Sequence, residues 1–516
     1  MKSMGKTISY VMVIMIFSRL LAFISNLVYV THFGANTRMD IFSFSQSLPN
    51  IIFASFGTAL TTVVIPIFAS YLAEGKKEKA SAFADNILTL SLAAALILAI
   101  IAAALSPALI LLTRFRNEEY WFAVTALCIM MPVMVFYALN YVLQGILQSY
   151  GKFAMTALVS APGSLIVIAY VLLLGDRFGV TGLLFAVFAG LASQGLVLII
   201  PARKAGYSFK PSFGLRNEDI RKAMKLIPPV LVGTSAYQVN MLYNNILASR
   251  FETANTIMYT IQNIVLYSVL AFIYSVTAVV YPKLSMLAAQ KDIALFKESL
   301  IKILKTVSFF MVPAAFGFIL LNRRMADVFL AWNRITPDNL DLASGMMAFY
   351  AAGVIGLGIK EVLDRAFWSL QDTKRPAINS ITMMAVNIVI SLAAIQFIGP
   401  LGIPLAYTVS SLTGGIILVI MMRNKIGPFG IRSLVMSAAK SFLSGIAMTA
   451  AVLFVNKLTV DLSFSGVFTD RMMKLLIPTA TGIMVYFPAA FLMKSEEAVG
   501  IFNKMKNLIL PGRKAA

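Results

Sequence analysis

Residues 86–112 read NILTLSLAAALILAIIAAALSPALILL, 27 residues without a single charge. As a helix this stretch is about 40 Å long, enough to cross a hydrocarbon layer of about 30 Å. Runs of about 20 mostly apolar residues recur from Tyr10 to Phe491, separated by short loops. Hydrophobic residues make up 59% of the 516-residue chain, charged residues 13%, and the mean hydropathy is +0.84. A water-soluble domain cannot bury that share of apolar side chains. The chain reads as an all-α polytopic membrane protein, so its function is a membrane function.

A window of about 19 residues predicts about fourteen transmembrane helices. They cover 8–31, 41–72, 81–113, 120–148, 153–175, 180–201, 223–249, 255–282, 301–322, 342–370, 376–398, 401–422, 433–456 and 473–493. Pro49, Pro66, Pro132, Pro162, Pro228, Pro229 and Pro404 fall inside them. Helix bundles in membranes tolerate such breaks where neighbouring groups satisfy the freed backbone. The first apolar stretch lacks a small-residue cleavage site and belongs to the repeating pattern, so it reads as a span and not a cleaved signal.

Charge placement tests this division. With the amino terminus inside, and charges at the ends of spans counted with the adjoining segment, 28 of the 43 Lys and Arg residues fall in inside segments and 11 in outside segments; Arg19, Lys360, Arg365 and Lys440 lie deeper within spans. Acidic residues divide evenly, 9 inside and 10 outside. Such asymmetry is the positive-inside pattern, and it predicts that both termini are cytoplasmic. The formal charge of +21 then needs no nucleic-acid partner. Anionic lipid headgroups at the cytoplasmic face account for it.

Two sets of six spans resemble each other. Gly179-Val-Thr-Gly182-Leu-Leu-Phe-Ala186 stands 220 positions before Gly399-Pro-Leu-Gly402-Ile-Pro-Leu-Ala406. The same offset pairs Gly195 with Gly415, Leu143 with Leu363 and Ser149 with Ser369, and an offset of 216 pairs Pro66 with Pro282. Six spans per half give both halves one orientation, a parallel pseudo-twofold repeat with the substrate path between lobes. The expected organisation is an N-lobe at 1–201, a basic cytoplasmic linker at 202–222, a C-lobe at 223–423, and two further spans with a basic tail at 424–516. Two similar lobes favour alternating access over a static pore.

Signatures of other chemistry are missing. There is no Walker loop, and Gly356-Leu-Gly358 lies inside a span as packing glycine. A single Cys128 and a single His32 exclude disulfides within the chain and multi-thiolate or His-rich metal sites. Asp461 and Asp470 read as solvated loop acids. Neither an enzyme nor a cofactor is expected.

Charged groups within spans are costly unless they face a cavity or a partner. Arg19 sits midway along the first span in Phe17-Ser18-Arg19-Leu20; it either snorkels or pairs, or its guanidinium fork faces a cavity and holds a diphosphate. Asp40 either caps the second helix or pairs with an arginine at the cavity mouth. On the tenth span Lys360/Asp364 and Glu361/Arg365 are spaced four apart and can neutralise each other as ion pairs, with lobe closure or headgroup contact as the alternative role. Asp85 is expected at the cytoplasmic interface.

The run Ser18-Arg19-Leu20-Leu21-Ala22-Phe23, then Phe33-Gly34-Ala35, Asp40-Ile41-Phe42 and Pro49-Asn50, resembles the opening of the MurJ/MviN family of lipid II flippases. The tract from Arg365 through Asp372-Thr373-Lys374-Arg375-Pro376 is similar to that family's aromatic and Asp-Thr-Lys-x-Pro signature. The resemblance implies the fold of the multidrug/oligosaccharidyl-lipid/polysaccharide exporter superfamily. It implies outward flipping of an undecaprenyl-diphosphate-linked peptidoglycan precursor in a bacterial cytoplasmic membrane. Ser18, Arg19, Asn26, Asp40, Asn50, Gln262 and Asn263 are the candidate cavity residues. Where the family carries further charges, this chain has Ser25-Asn26, Phe53-Ala54, Gln262-Asn263 and Asn244-Asn245, which predicts a less cationic cavity. The expected partners are a lipid-linked glycan substrate, anionic membrane lipids and cell-wall synthesis enzymes. An exporter of another lipid-linked oligosaccharide, a cation-coupled drug exporter and a membrane scaffold are the competing readings.

Overall fold

The computed structural model describes residues 2–214, 218–331, 335–500 and 502. Among them all regular structure is helical. The first half comprises α1 (Lys2–Phe33), α2 (Thr37–Ala73), α3 (Lys77–Ile110), the short α4 (Phe115–Glu118), α5 (Tyr120–Met130), α6 (Val133–Ser149), α7 (Phe153–Ala157), α8 (Ala161–Leu196) and α9 (Ile199–Lys204). Pro132, which cannot donate a backbone hydrogen bond, separates α5 from α6. The chain continues through α10 (Glu218–Ala248), α11 (Ala254–Ala289), α12 (Ile293–Leu320), α13 (Asn322–Phe329), α14 (Pro337–Ser369), α15 (Lys374–Ile398), α16 (Gly402–Ile426), α17 (Ile431–Val460) and α18 (Val467–Leu492). Among the described residues nine helical runs are long and apolar enough to cross a membrane. Two of these, Ala154–Lys204 and Lys374–Ile426, are 51 and 53 residues long and turn back at Gly179 and Gly399.

The internal repeat is written in the backbone. Gly179 and Gly399, 220 apart, have nearly the same conformation, φ 58° with ψ −149° and −139°. The other left-handed residues of the first half, Gly34, Gly75, Gly151 and Gly206, have counterparts at Thr253, Lys291, Gln371 and Gly427. Two of these helix ends close with the same six-residue hydrogen bond in both halves. Lys76 N–H donates to the Tyr71 carbonyl (2.9 Å) as Asp292 donates to Leu287 (3.1 Å), and Lys152 to Leu147 (2.8 Å) as Asp372 to Phe367 (2.9 Å). Helix packing repeats as well. Gly195 lies against the carbonyl of Phe136, and Gly415 against that of Gly356, 220 positions on in both members. A Cβ at Gly195 would stand 2.8 Å from that oxygen, so only glycine permits the approach.

The described residues up to Thr260 form one compact unit, and Ile261–Ala331 with the described residues from Thr336 onward form a second. Within the first, α2 packs on α6 and α10, and α1 packs on α8. The segment after α9 lies on the N-terminal part of α3. Asp85 accepts from the Tyr207 hydroxyl (2.9 Å) and Lys210 N–H (3.0 Å), Thr89 from Ser212 N–H (3.1 Å), and Asn86 from Gly214 N–H. Alternate backbone donors of an extended strand thus meet side-chain acceptors on one helix face. Burial, with the Asp85 carboxylate beside it, pushes the Tyr207 phenol upward and keeps it a donor. In the second unit α14 packs on α12 and α16, and α17 and α18 pack on each other and on α12. There Tyr486 donates to the Phe309 carbonyl (2.8 Å) among Met448, Val452 and Phe487. Leu173, Phe397 and Leu492 are 79%, 86% and 80% exposed; apolar surface on that scale belongs against lipid.

Candidate functional site

Ser18 is buried, and its hydroxyl shares a 2.7 Å hydrogen bond with the hydroxyl of Ser160, just before α8. That tie fixes the rotation of α1 around the next residue, Arg19, which is exposed. At 100° per residue Arg19 shares a face with Asn26, seven positions on, and stands well away from the stripe of Phe17, Leu20 and Ile24. Those three are exposed apolar residues and form the lipid-suited face. None of the ion pairs among the described residues involves Arg19.

Asn26 is buried and donates to the Tyr29 hydroxyl, which also accepts from Gln46 (3.2 Å). Ser25 is buried beside it. In this conformation neither presents a polar group outward from the bundle. Asn50 is exposed on α2. One turn earlier, Ser47 donates to Asn245 (3.3 Å), and Asn245 donates to the Met241 carbonyl on α10 (2.8 Å). Asn245 is thus a cross-helix tie.

Asp40 does not cap its own helix. Asn36 does, accepting from Met39 N–H at 3.1 Å. Asp40 instead reaches the start of α11, where its Oδ1 accepts from Thr256 N–H (2.9 Å) and from the Thr256 hydroxyl (2.8 Å). Thr256 is the third residue of α11, whose N–H an N-cap side chain ordinarily satisfies. Thr253, in the N-cap position, turns its hydroxyl to the Glu252 carbonyl. The fully buried Asp40 carboxylate takes over the cap and meets the positive end of the helix dipole. Position 256 also follows position 40 by 216, the repeat offset.

In the second unit Gln262 is buried and donates to the Tyr350 hydroxyl (2.9 Å), whose ring meets Tyr407 edge-on. Asn263 is half-buried. The α14 charges pair as their spacing predicts. Lys360 lies 2.7 Å from Asp364 and 3.4 Å from Glu361, and Arg365 lies 3.0 Å from Glu361.

The Asp-Thr-Lys tract forms a joint. Asp372 accepts from Arg375 N–H (3.2 Å), capping the start of α15, and from the side chains of Arg375 (2.7 Å) and Lys425 (2.6 Å), the latter on α16. Partial burial disfavours the ionised carboxyl, but the bonds from Lys425 and Arg375 outweigh it and hold Asp372 below the usual carboxylate range. A depressed carboxyl adds stability above its unfolded pKa and loses it as the pH falls through the folded one. Asp372→Asn is expected to lower the unfolding temperature by about 3 °C at pH 7. The gap between variant and wild type should close below about pH 4, as a pH series of thermal scans in detergent would record.

Sequence reasoning singled out Ser18, Asp40 and the tract with Asp372 but missed their partners Ser160, Thr256 and Lys425. Each partner is a polar residue on a distant helix, and only the repeat offset linking 40 to 256 was available as a signal.

Among the described residues all regular structure is helical, nine runs are long and apolar enough to cross a membrane, and two halves repeat one another, which defines a helical membrane protein built on an internal repeat. A solved multidrug MATE-family transporter in an inward-facing conformation aligns with a TM-score of 0.65 at 16% identity, covering 79% of this chain and 94% of that one. A solved structure titled "Lipid II flippase MurJ, inward closed conformation" aligns with a TM-score of 0.77 at 21% identity, covering 93% and 98%. The sequence model of the family described as "Lipid II flippase MurJ" matches residues 29–471. This chain belongs to that family. A relative from Vibrio cholerae named "Probable lipid II flippase MurJ" is 25% identical over 453 residues, 85% of this chain and 86% of the relative. One of the same name from Borreliella burgdorferi is 21% identical over 88% of this chain and 90% of its own length.

Proposed function

We propose that this protein carries lipid II, the undecaprenyl-diphosphate-linked peptidoglycan precursor, from the inner to the outer leaflet by alternating access, with no catalytic step of its own. The family match over residues 29–471 carries the reading. Arg19, exposed and in none of the ion pairs among the described residues, supports it from the chemistry, because a guanidinium in a poorly hydrated site is suited to a diphosphate. The lobes we assign are 1–201 and 223–423, joined by the linker 202–222, with 424–516 as the appended pair of spans and tail. We assign fourteen crossings with both termini in the cytoplasm of a bacterium, a reading supported by the excess of basic residues in the inside segments, with anionic lipids and cell-wall synthesis enzymes as further partners. Another lipid-linked glycan is the second reading, favoured by the amides at Asn244, Asn245, Gln262 and Asn263.

The function is tested by expressing the chain in cells depleted of their own lipid II flippase. Restored growth and cell-wall incorporation support lipid II as cargo, and lysis despite normal membrane levels contradicts it.

Orientation has its own test in a Cys128→Ala background. Cysteines at the exposed positions Lys77 and Lys210 should resist an impermeant thiol reagent in intact cells. Asn339, in the outer segment, is buried, so the outside probe belongs at exposed Asp338, and Asp338→Cys should react. The reverse labelling pattern would overturn both orientation and span count.

A further inference from the structure

Between α9 and α10, Tyr207, Phe209, Pro211 and Phe213 alternate with Ser208, Lys210, Ser212 and Gly214. The segment is extended, and a period of two places the first set on one face and the second on the other. Tyr207 is buried against Asp85, whereas Phe209 and Phe213 are 38% and 69% exposed. Two exposed phenylalanines on one face mark a surface that meets something apolar.

The clasp on α3 fixes the direction of the strand. Its acceptors Asp85, Asn86 and Thr89 fall within about 6 Å of helix axis. The donors run from Lys210 to Gly214, about 13 Å of extended chain. The strand therefore crosses α3 instead of following it, and it runs near the membrane plane that α3 spans. Because its N–H groups point at α3, its two side-chain faces point along the membrane normal, one toward hydrocarbon and one toward water.

The same bonds fix its depth. Asp85 is the last charged residue before the uncharged run 86–112. That run exceeds the hydrocarbon thickness by about 10 Å, so when it is centred Asn86 lies about 5 Å outside the hydrocarbon and Thr89 at its boundary. Non-helical backbone is tolerated at that level only where its polar groups are satisfied, and α3 side chains satisfy Lys210, Ser212 and Gly214. The chain also arrives there along apolar surface, since Leu196, Val197 and Ile200, shortly before the turn at Gly206, are exposed.

Charge identifies the partner. On segments 74–79 and 203–210 six exposed basic residues, Lys76, Lys77, Lys79, Arg203, Lys204 and Lys210, stand against Glu74 and Glu78. Aromatic side chains edged by lysine and arginine at the bilayer boundary match acyl chains beneath anionic headgroups. A soluble partner cannot reach a face turned toward the bilayer.

We propose that residues 207–214 form a membrane-docking strand, with Phe209 and Phe213 inserted at the headgroup–acyl boundary and Arg203, Lys204 and Lys210 on anionic headgroups. This gives the anionic lipids a place on the molecule and rests on the cytoplasmic placement of the linker, which the cysteine labelling tests separately. The test attaches an environment-sensitive fluorophore to Phe209→Cys, Phe213→Cys or Ser208→Cys in the full-length Cys128→Ala protein, held in nanodiscs of phosphatidylcholine and phosphatidylglycerol. All three positions are exposed, so labelling should leave the unfolding temperature near that of the parent. A nitroxide high on the acyl chain should quench the probes at 209 and 213 about twofold or more, while aqueous iodide quenches mainly the probe at 208. Nitroxide-labelled phosphatidylglycerol should quench the probe at 213 about twofold more than labelled phosphatidylcholine, a preference lost in Arg203→Gln/Lys204→Gln/Lys210→Gln. Iodide that reaches 213 as readily as 208 overturns the insertion. Equal quenching by the two labelled lipids, or a preference that survives the triple substitution, overturns the headgroup contacts.

Discussion

Arg19→Ala is expected to reduce lipid II translocation by roughly 100-fold, the equivalent of one strong charge-assisted contact of about 3 kcal/mol, while membrane yield and thermal stability stay near wild type. The stability half follows from the structure. Arg19 is exposed and none of the described ion pairs uses it, so truncation leaves no buried partner stranded. The transport half follows from its setting. A guanidinium on an intramembrane helix is expensive unless a ligand or a wet cavity repays its desolvation. Ser18, clasped to Ser160, holds the rotation of α1 that keeps Arg19 off the apolar stripe. Arg19→Lys should recover only part of the rate, because a point charge cannot supply two parallel bonds to a diphosphate. Initial rates on proteoliposomes check this. Full activity of the alanine variant would reduce Arg19 to a snorkelling residue.

Asp40→Ala should produce the largest loss of stability. Removing the carboxylate strands the N–H and the hydroxyl of Thr256 at the start of α11, inside a site with no solvent access. Two bonds to a charged acceptor at about 1.5–3 kcal/mol each give a cost of about 3–5 kcal/mol. The apparent unfolding temperature should fall by about 5 °C or more. Asp40→Asn keeps one acceptor oxygen and should lose about half as much. Since Asp40 lies in the first turn of α2 and Thr256 in the first turn of α11, the contact joins two helix starts. The alanine variant should therefore also alter the rate of translocation at temperatures where it remains folded. An unchanged thermal scan for Asp40→Ala would contradict the assignment of Asp40 as the cap of α11.

Hydropathy and turn chemistry made most of the fold legible. The uncharged run at 86–112 became α3, and the glycines at 179 and 399 became reversals of nearly identical backbone. The repeat was visible as scattered identities in apolar sequence. Its physical content lay in helix ends such as Gly151/Gln371 and Gly75/Lys291, where one member is not glycine and sequence matching fails. The candidate site was legible only as far as intramembrane charge stands out from an apolar background. Arg19 and the α14 pairs have that contrast. Asp40 was noticed, but of the two roles it offered the cap of its own helix belongs to Asn36, because an aspartate near a helix start suits its own N-cap equally well and the distant Thr256 leaves no local mark. Gln262 and Asn26 were expected to line a cavity because the family resemblance implies charges near those places. Their hydrogen bonds to Tyr350 and Tyr29 in the packed interior are side-chain matches between positions that alternation of polar and apolar residues does not link.

The central claim, that this chain moves lipid II across the bilayer, is tested most directly by reconstituting the purified protein into sealed vesicles. Labelled lipid II is placed in one leaflet, and its arrival in the other is followed by a membrane-impermeant glycan-modifying reagent. Wild-type protein should translocate lipid II at a rate well above protein-free vesicles, with Arg19→Ala at the background rate. Background movement by the wild-type protein, or equal rates for wild type and Arg19→Ala, would contradict the account.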